Sequence, residues 1–175
     1  MAGQGAKNGE PDLSPVIPQD PLDVLLSVTS IVHWADSRDV RLAAMEASEF
    51  PVDDMPMFLV VNQLCYRGAL RPTDIAAVLG MSKTNISKII RRLEQVGLVT
   101  RAPSPSDDRS VLIALTAEGR ALGERIIANA RRTVDDLTAV WTDEEVQTLR
   151  RVLAHFAQQA RHEIALHSPA LRTLR

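Results

Sequence analysis

Between Ser82 and Gln95 the chain sets Lys83, Lys88, Arg91 and Arg92 among short hydrogen-bonding side chains, Ser82, Thr84, Asn85 and Ser87. Cations at that spacing neutralise phosphate oxygens, and small hydroxyls and amides reach the edges of bases. With residues placed about 100° apart around a helix axis, Ile86, Ile89, Ile90, Leu93 and Val96 fall on one arc. Thr84, Ser87, Lys88, Arg91 and Gln95 fall on the opposite one, with Lys83, Asn85 and Arg92 at its borders. A solvated helix also has a polar outer face, but it usually interleaves Glu with Lys. Here the outer cations have no acidic residue four positions away, and only Glu94 lies near. The face therefore reads as one that enters a groove of duplex DNA. Amides and dipole at a helix N-terminus favour phosphate, which suits Ser82 and Lys83 to phosphate positioning. Thr84, Asn85, Ser87 and Lys88 are suited to base edges, and Arg91 to either.

Other chemistry is thinly represented. No nucleophile–base pair, paired carboxylate set or Gly-rich phosphate loop is visible, so neither catalysis nor a cofactor is expected. Cys65 sits between Leu64 and Tyr66, as a buried structural thiol or, alternatively, a redox sensor. His155 and His162 are seven residues apart on a helical stripe, with Glu163 and His167 following. That spacing separates the two rings by two turns, roughly 10 Å, too far to share an ion unaided, so no metal site is expected. His33 and Trp34 could line a pocket for a small effector or fill a core or interface position.

The bulk properties bound the setting. The chain has 175 residues, 45% hydrophobic and 24% charged, with only 3% aromatic; its core must come from Leu, Ile, Val and Ala, which favours helices. From Arg71 to Ser110 seven basic side chains face four acidic ones, a local net of +3 in a chain of net charge −2. A basic module in an acidic chain is the footprint of a local phosphate-binding surface. One cysteine excludes an internal disulfide framework and fits a reducing cytoplasm. No apolar run approaches the roughly 20 residues of a membrane span, and the first residues lack the apolar stretch of a secretory signal. Residues 1–20 read as a Gly- and Pro-rich tail, expected to be mobile.

The elements that must position the cations follow from periodicity and punctuation. Leu22 to Met45 predicts one long helix, or two broken near Asp36–Asp39, ended by Phe50-Pro51. Asp53 or Asp54 offers an N-cap for a helix running to about Arg67 and stopped by Gly68. Pro72 opens a short helix with Ile75, Ala76 and Leu79 inward. Gly80-Met81-Ser82 is the turn, and Ser82 caps the helix Lys83 to Val96, closed by Gly97. Val99–Arg101 and Val111–Leu115 predict strands around a polar loop, Ala102–Ser110. Thr116 caps a helix to about Val140, and Trp141, next to the capping box that follows, is expected to pack as a helix staple. Thr142 with Glu145 forms a capping box for the last helix. Val146, Leu149, Val152, Leu153, Phe156, Ala160 and Ile164 make a seam there that a partner chain would cover.

Arg109 lies about a dozen residues beyond Gly97, on an arm long enough to deliver a guanidinium to the neighbouring minor groove. Asp107 or Asp108 would hold its rotamer. Taken together, Asp74-Ile75-Ala76 with Leu79, the run Leu93-Glu94-Gln95-Val96-Gly97-Leu98-Val99-Thr100-Arg101, Asp107-Asp108-Arg109 and Leu115-Thr116-Ala117-Glu118-Gly119 resemble the MarR family of winged-helix regulators. The resemblance covers Phe50 to about Arg120. It implies a homodimer with intertwined first and last helices, two lobes reading a pseudo-palindrome of double-stranded DNA, and Arg109 as the minor-groove arginine. It also implies repression relieved by a small anionic or phenolic effector bound between lobe and dimer helices. Arg71 departs from the pattern, standing where a Ser or Thr cap is usual; it either weakens that cap or contacts backbone phosphate.

The expected fold is mainly α with a small β-hairpin wing, a winged helix-turn-helix plus N- and C-terminal dimerisation helices. Residues 51–116 form the DNA-binding lobe, and 21–50 with 117–170 the helical dimerisation region. The expected function is a cytoplasmic, sequence-specific transcriptional regulator, nucleoid-associated when bound. A winged helix used only for protein interaction, and a redox- or metal-triggered regulator, remain as alternatives.

Overall fold

The computed structural model describes residues 12–17, 19–104 and 107–167, with backbone alone for 107–109 and 164–167. Element order is α1 (Val24–Asp36), α2 (Arg38–Ala47), α3 (Met55–Arg67), α4 (Pro72–Leu79), α5 (Lys83–Gln95), β1 (Val99–Ser104), β2 (Asp107–Leu115), α6 (Ala117–Leu137) and α7 (Asp143–His167). The mainly helical, hairpin-bearing architecture expected from the sequence is the one observed. Residues 1–20, expected to be a mobile tail, fall largely outside the described set.

The chain divides into two packing units after Arg41. In the first, Asp23 caps α1 by accepting from Leu26 N at 2.8 Å, and Ser37, extended in backbone, ends it. The break expected near Asp36–Asp39 is therefore real. Arg41 then reaches back to pair with Asp36. No residue of α1 is buried.

In the second unit the aliphatic core runs through every element of the lobe: Met57, Val60, Val61 and Leu64 of α3, Ile75 of α4, Ile86, Ile90 and Leu93 of α5, Ile113 of β2 and Leu122 of α6 are all essentially inaccessible. The end of α2 joins this core through Met45. The helix stops at Ala47, short of the Phe50-Pro51 expected to end it. Glu49 takes a left-handed conformation, φ 54°, and the buried Ser48 turns its hydroxyl onto Met45 O at 3.0 Å. Phe50 is thereby free to set its ring edge-on to Phe58, centroids 5.5 Å apart. Asp54, rather than Asp53, caps α3, accepting from Met57 N at 2.9 Å.

The hairpin is longer than expected. Residues placed in a polar loop at 102–110 are paired: Ala102 opposite Leu112, Pro103 opposite Val111, and Ser104 opposite Asp107 across a register shift. Alternation of polarity was too weak at Pro103 and Ser104 to announce a strand, yet cross-strand pairing carries the ladder outward. On the other edge of β2 Leu70 forms an isolated antiparallel bridge, donating to Ile113 O at 3.1 Å and accepting from Ile113 N at 2.7 Å. The loop before α4 is thus stitched to the second strand.

At the base of the hairpin Thr116 joins three segments. Its N–H donates to Leu98 O at 3.1 Å, its hydroxyl donates to Gly97 O at 2.6 Å, and the same oxygen accepts from Gly119 N at 3.0 Å as the cap of α6. The helix it starts ends at Leu137, three residues earlier than expected, because Thr138 to Val140 fold into turns. Among the described residues no helix is long and apolar enough to cross a membrane.

Candidate nucleic-acid interface

The basic helix is presented by the turn before it. Gly80 adopts the left-handed conformation, φ 62°, that ends α4, and Met81 N donates to Ala76 O at 3.0 Å. Ser82 is extended, and its hydroxyl oxygen accepts from Asn85 N at 3.2 Å. The hydroxyl can still donate its proton, a bond suited to a phosphate oxygen. At the other end Gly97, φ 74°, takes the left-handed position past the helix, and Leu98 N closes onto Leu93 O at 3.0 Å.

The angular reading of α5 holds with one correction. Ile86, Ile89, Ile90 and Leu93 are buried, whereas Val96, placed with them, is 44% exposed. Val96 is the C-cap residue at the edge of that arc, its N–H still donating to Arg92 O at 3.1 Å before the chain turns away at Gly97. Lys83, Thr84, Asn85, Ser87, Lys88, Arg91 and Gln95 are all exposed. Among the described residues Lys83, Lys88 and Arg91 have no ion-pair partner, so their charge is available to an anionic ligand. Ser87 is more restricted than its type suggests. Its hydroxyl donates to Lys83 O at 2.9 Å, which leaves lone pairs to accept from a base amino group. Arg71 is exposed at the start of α4 and supplies no side-chain cap, as its identity led one to expect.

Arg92 and Glu94 are engaged otherwise. Arg92 Nη1 lies 2.5 Å from Asp54 Oδ2. Glu94 receives Arg101 of β1, at 2.8 Å from Nε and 3.4 Å from Nη2. Counting acids four positions away within α5 could not find these partners, because one is on α3 and the other on the wing. Gly119, which the sequence marks only as part of a motif, also has a structural role. A Cβ there would fall inside the contact distance of the Leu98 carbonyl oxygen, so the helix–wing junction closes only around glycine. The side chains of Asp107, Asp108 and Arg109 lie outside the described residues; their backbones belong to β2.

A cleft of about 380 Å³ opens between α3 and α6, lined among others by Leu64, Cys65, Leu115, Arg120, Ile127 and Arg131. Cys65 is half-buried, and burial pushes its thiol pKa up from the ordinary value. A thiol so held has less thiolate at neutral pH, which works against a redox role. His33 and Trp34 are exposed on α1, and His155 and His162 on α7. Trp141, 44% exposed, borders a shallow cleft with Thr148, Leu149 and Val152 on the opening turns of α7.

Comparison with known proteins agrees with this geometry. The family model described as the MarR family matches residues 54–111. The chain is 29% identical over 150 residues to the HTH-type transcriptional regulator PecS of Dickeya dadantii, spanning 84% of this chain and 85% of that one. It is 30% identical over 135 residues to the multiple antibiotic resistance protein MarR of Salmonella typhimurium, covering 77% of this chain and 93% of that one. In structure it resembles NadR in complex with 4-hydroxyphenylacetate, with a TM-score of 0.54 at 24% identity over 81% of this chain and 98% of that one.

Proposed function

The chain belongs to the MarR family and is a DNA-binding regulator of transcription; from that premise we propose that it acts as a homodimeric repressor on a pseudo-palindromic operator. The observation that carries the reading is the outer face of α5, which bears Lys83, Lys88 and Arg91 exposed and without ion-pair partners among the described residues. Each lobe inserts that face into a major groove, Ser82, Lys83 and Arg71 meeting phosphates and Thr84, Asn85, Ser87 and Lys88 meeting base edges. Arg109, steadied by Asp107 or Asp108, extends to the adjacent minor groove.

Dimerisation supplies the second lobe. Leu25, Ile31 and Val32 of α1 and Val152, Leu153 and Phe156 of α7 are each more than 40% exposed, and a second copy of the chain is the natural cover for such seams. The protein works in the cytoplasm, on nucleoid DNA. Release by a small molecule is supported by the cleft between α3 and α6. Its lining sets apolar Leu64, Leu115 and Ile127 beside two cations, Arg120 and Arg131, and one anion, Glu124; the excess of positive charge suits an aromatic carboxylate, and the volume lies within the range of ligand sites. NadR, similar in fold, holds such a compound.

Fluorescence anisotropy with duplex from the chain's own upstream region tests the reading. Lys88→Ala and Arg91→Ala should each weaken binding by roughly 1–3 kcal/mol, and a variant that no longer meets a phosphate should also show a shallower salt dependence. A folded dimer that ignores every such fragment would overturn it. Added aromatic carboxylate in the same titration reports effector release.

A further inference from the structure

The recognition helix is held on one side by aliphatic residues, and such contacts are non-directional. Burial of Ile86, Ile89, Ile90 and Leu93 fixes which face is inward, and directional contacts at its flanks would add a restraint on the roll of the helix. A roll of this kind would carry Thr84, Ser87, Lys88 and Arg91 across the groove. Directional contacts occur at both flanks of the apolar stripe. Arg92 and Glu94 are two residues apart, hence about 200° around the axis, one on each side. Arg92 pairs with Asp54 at 2.5 Å, and Glu94 with Arg101 at 2.8 Å.

The Asp54 carboxylate is placed to do this. Oδ1 caps α3 by accepting from Met57 N at 2.9 Å, so the residue is fixed to the lobe, while Oδ2 takes Arg92. Its side chain is only 15% exposed, which strengthens the pairing over that of an open surface pair. On the far flank Glu94 meets Arg101 with both carboxylate oxygens, tying α5 to the first strand of the wing.

We propose that Asp54 and Glu94 are positioning residues for DNA recognition: through Arg92 and Arg101 they set the roll of the recognition helix and its angle to the wing. The inference rests on the DNA-binding reading. It assigns Arg92 to geometry rather than to phosphate neutralisation. It also makes a prediction opposite to simple electrostatics. Removing a carboxylate beside a DNA-binding face should strengthen binding if charge alone mattered, and should weaken it if the carboxylate orients the helix.

The test compares Asp54→Asn, Glu94→Gln and Arg92→Gln by anisotropy over a salt series on the chain's own upstream duplex, with circular dichroism to check the fold. Asn caps a helix about as well as Asp, so Asp54→Asn keeps α3 and loses only the ion pair. Each variant should weaken binding about three- to tenfold, the worth of one partly exposed pair in each of two half-sites. The double variant Asp54→Asn/Arg92→Gln should be no weaker than the worse single one, and the salt slope should stay at its wild-type value. Tighter or unchanged binding by Asp54→Asn and Glu94→Gln would overturn the proposal. So would a salt slope reduced by about 1.8 in Arg92→Gln, the signature of one phosphate per half-site no longer neutralised. If the wild-type chain bound no duplex at all, the DNA-binding reading would fall first and this inference with it; wild-type binding with indifferent variants overturns the inference alone.

Discussion

Gly119 shows how a single residue can be dictated from elsewhere in the chain. Its own φ requires nothing unusual; the constraint is the Leu98 carbonyl, which a Cβ would strike. That carbonyl already accepts from Thr116 N and belongs to backbone, so it cannot swing aside as a side chain would. Gly119→Ala should therefore cost about 1–3 kcal/mol, the usual range for overpacking, and lower the melting temperature by roughly 2–12 °C. Thermal unfolding by circular dichroism measures it, and an unchanged midpoint would contradict the steric account. Other single residues were legible from type alone. Ser82, Thr116 and Thr142 cap helices because a short hydroxyl just before the first turn reaches its unpaired amides. Gly97 was legible too, since a left-handed residue past a helix is usually glycine. Gly119 could not be, because a close approach between segments leaves no trace in local pattern.

Among the elements, α7 was announced by its start. Thr142 N donates to Glu145 Oε2 at 2.8 Å, and Glu145 N donates to Thr142 Oγ1 at 3.3 Å, the reciprocal box foreseen from the sequence. The Thr142 amide, and after it the Thr142 hydroxyl, hold the Glu145 carboxyl below its ordinary value. A carboxyl lowered on folding stabilises most above its unfolded pKa, and that contribution vanishes as pH falls through the folded value. Acid should thus loosen the first turn of α7. The Thr142 amide resonance should titrate with a midpoint below that of an ordinary glutamate, and in Glu145→Gln this titration should disappear. The wing was less legible. Pro103 and Ser104 do not look like strand, and only pairing with Val111 and Asp107 makes them so. For α5 the period named the buried face correctly up to Leu93. It misplaced Val96, a C-cap residue at the edge of the apolar arc, which the wheel groups with the buried positions although it stays exposed.

For the whole molecule, the exposed apolar residues of α1 and α7 carry the sharpest expectation. Burying one leucine side chain is worth about 1.5–3 kcal/mol, and a twofold dimer counts it twice. Leu25→Asp or Phe156→Asp should therefore raise the dimer dissociation constant roughly a hundredfold or more. Sedimentation velocity reads the shift, with the lobe's helicity retained; dimers of both variants at submicromolar concentration would refute the assignment of these seams. The sequence alone determined the helix order, the turn before α5, the cationic outer face and the family resemblance, because each is written in residues close together along the chain. Periodicity, caps and local charge are short-range properties, each a sum over neighbouring residues. Tertiary structure alone decided that Arg92 belongs to Asp54, thirty-eight residues away, that Glu94 belongs to the wing, and that Gly119 must lack a side chain. Those contacts arise when separate elements close on one core. Their energies depend on distance in space, and separation along the chain does not record it.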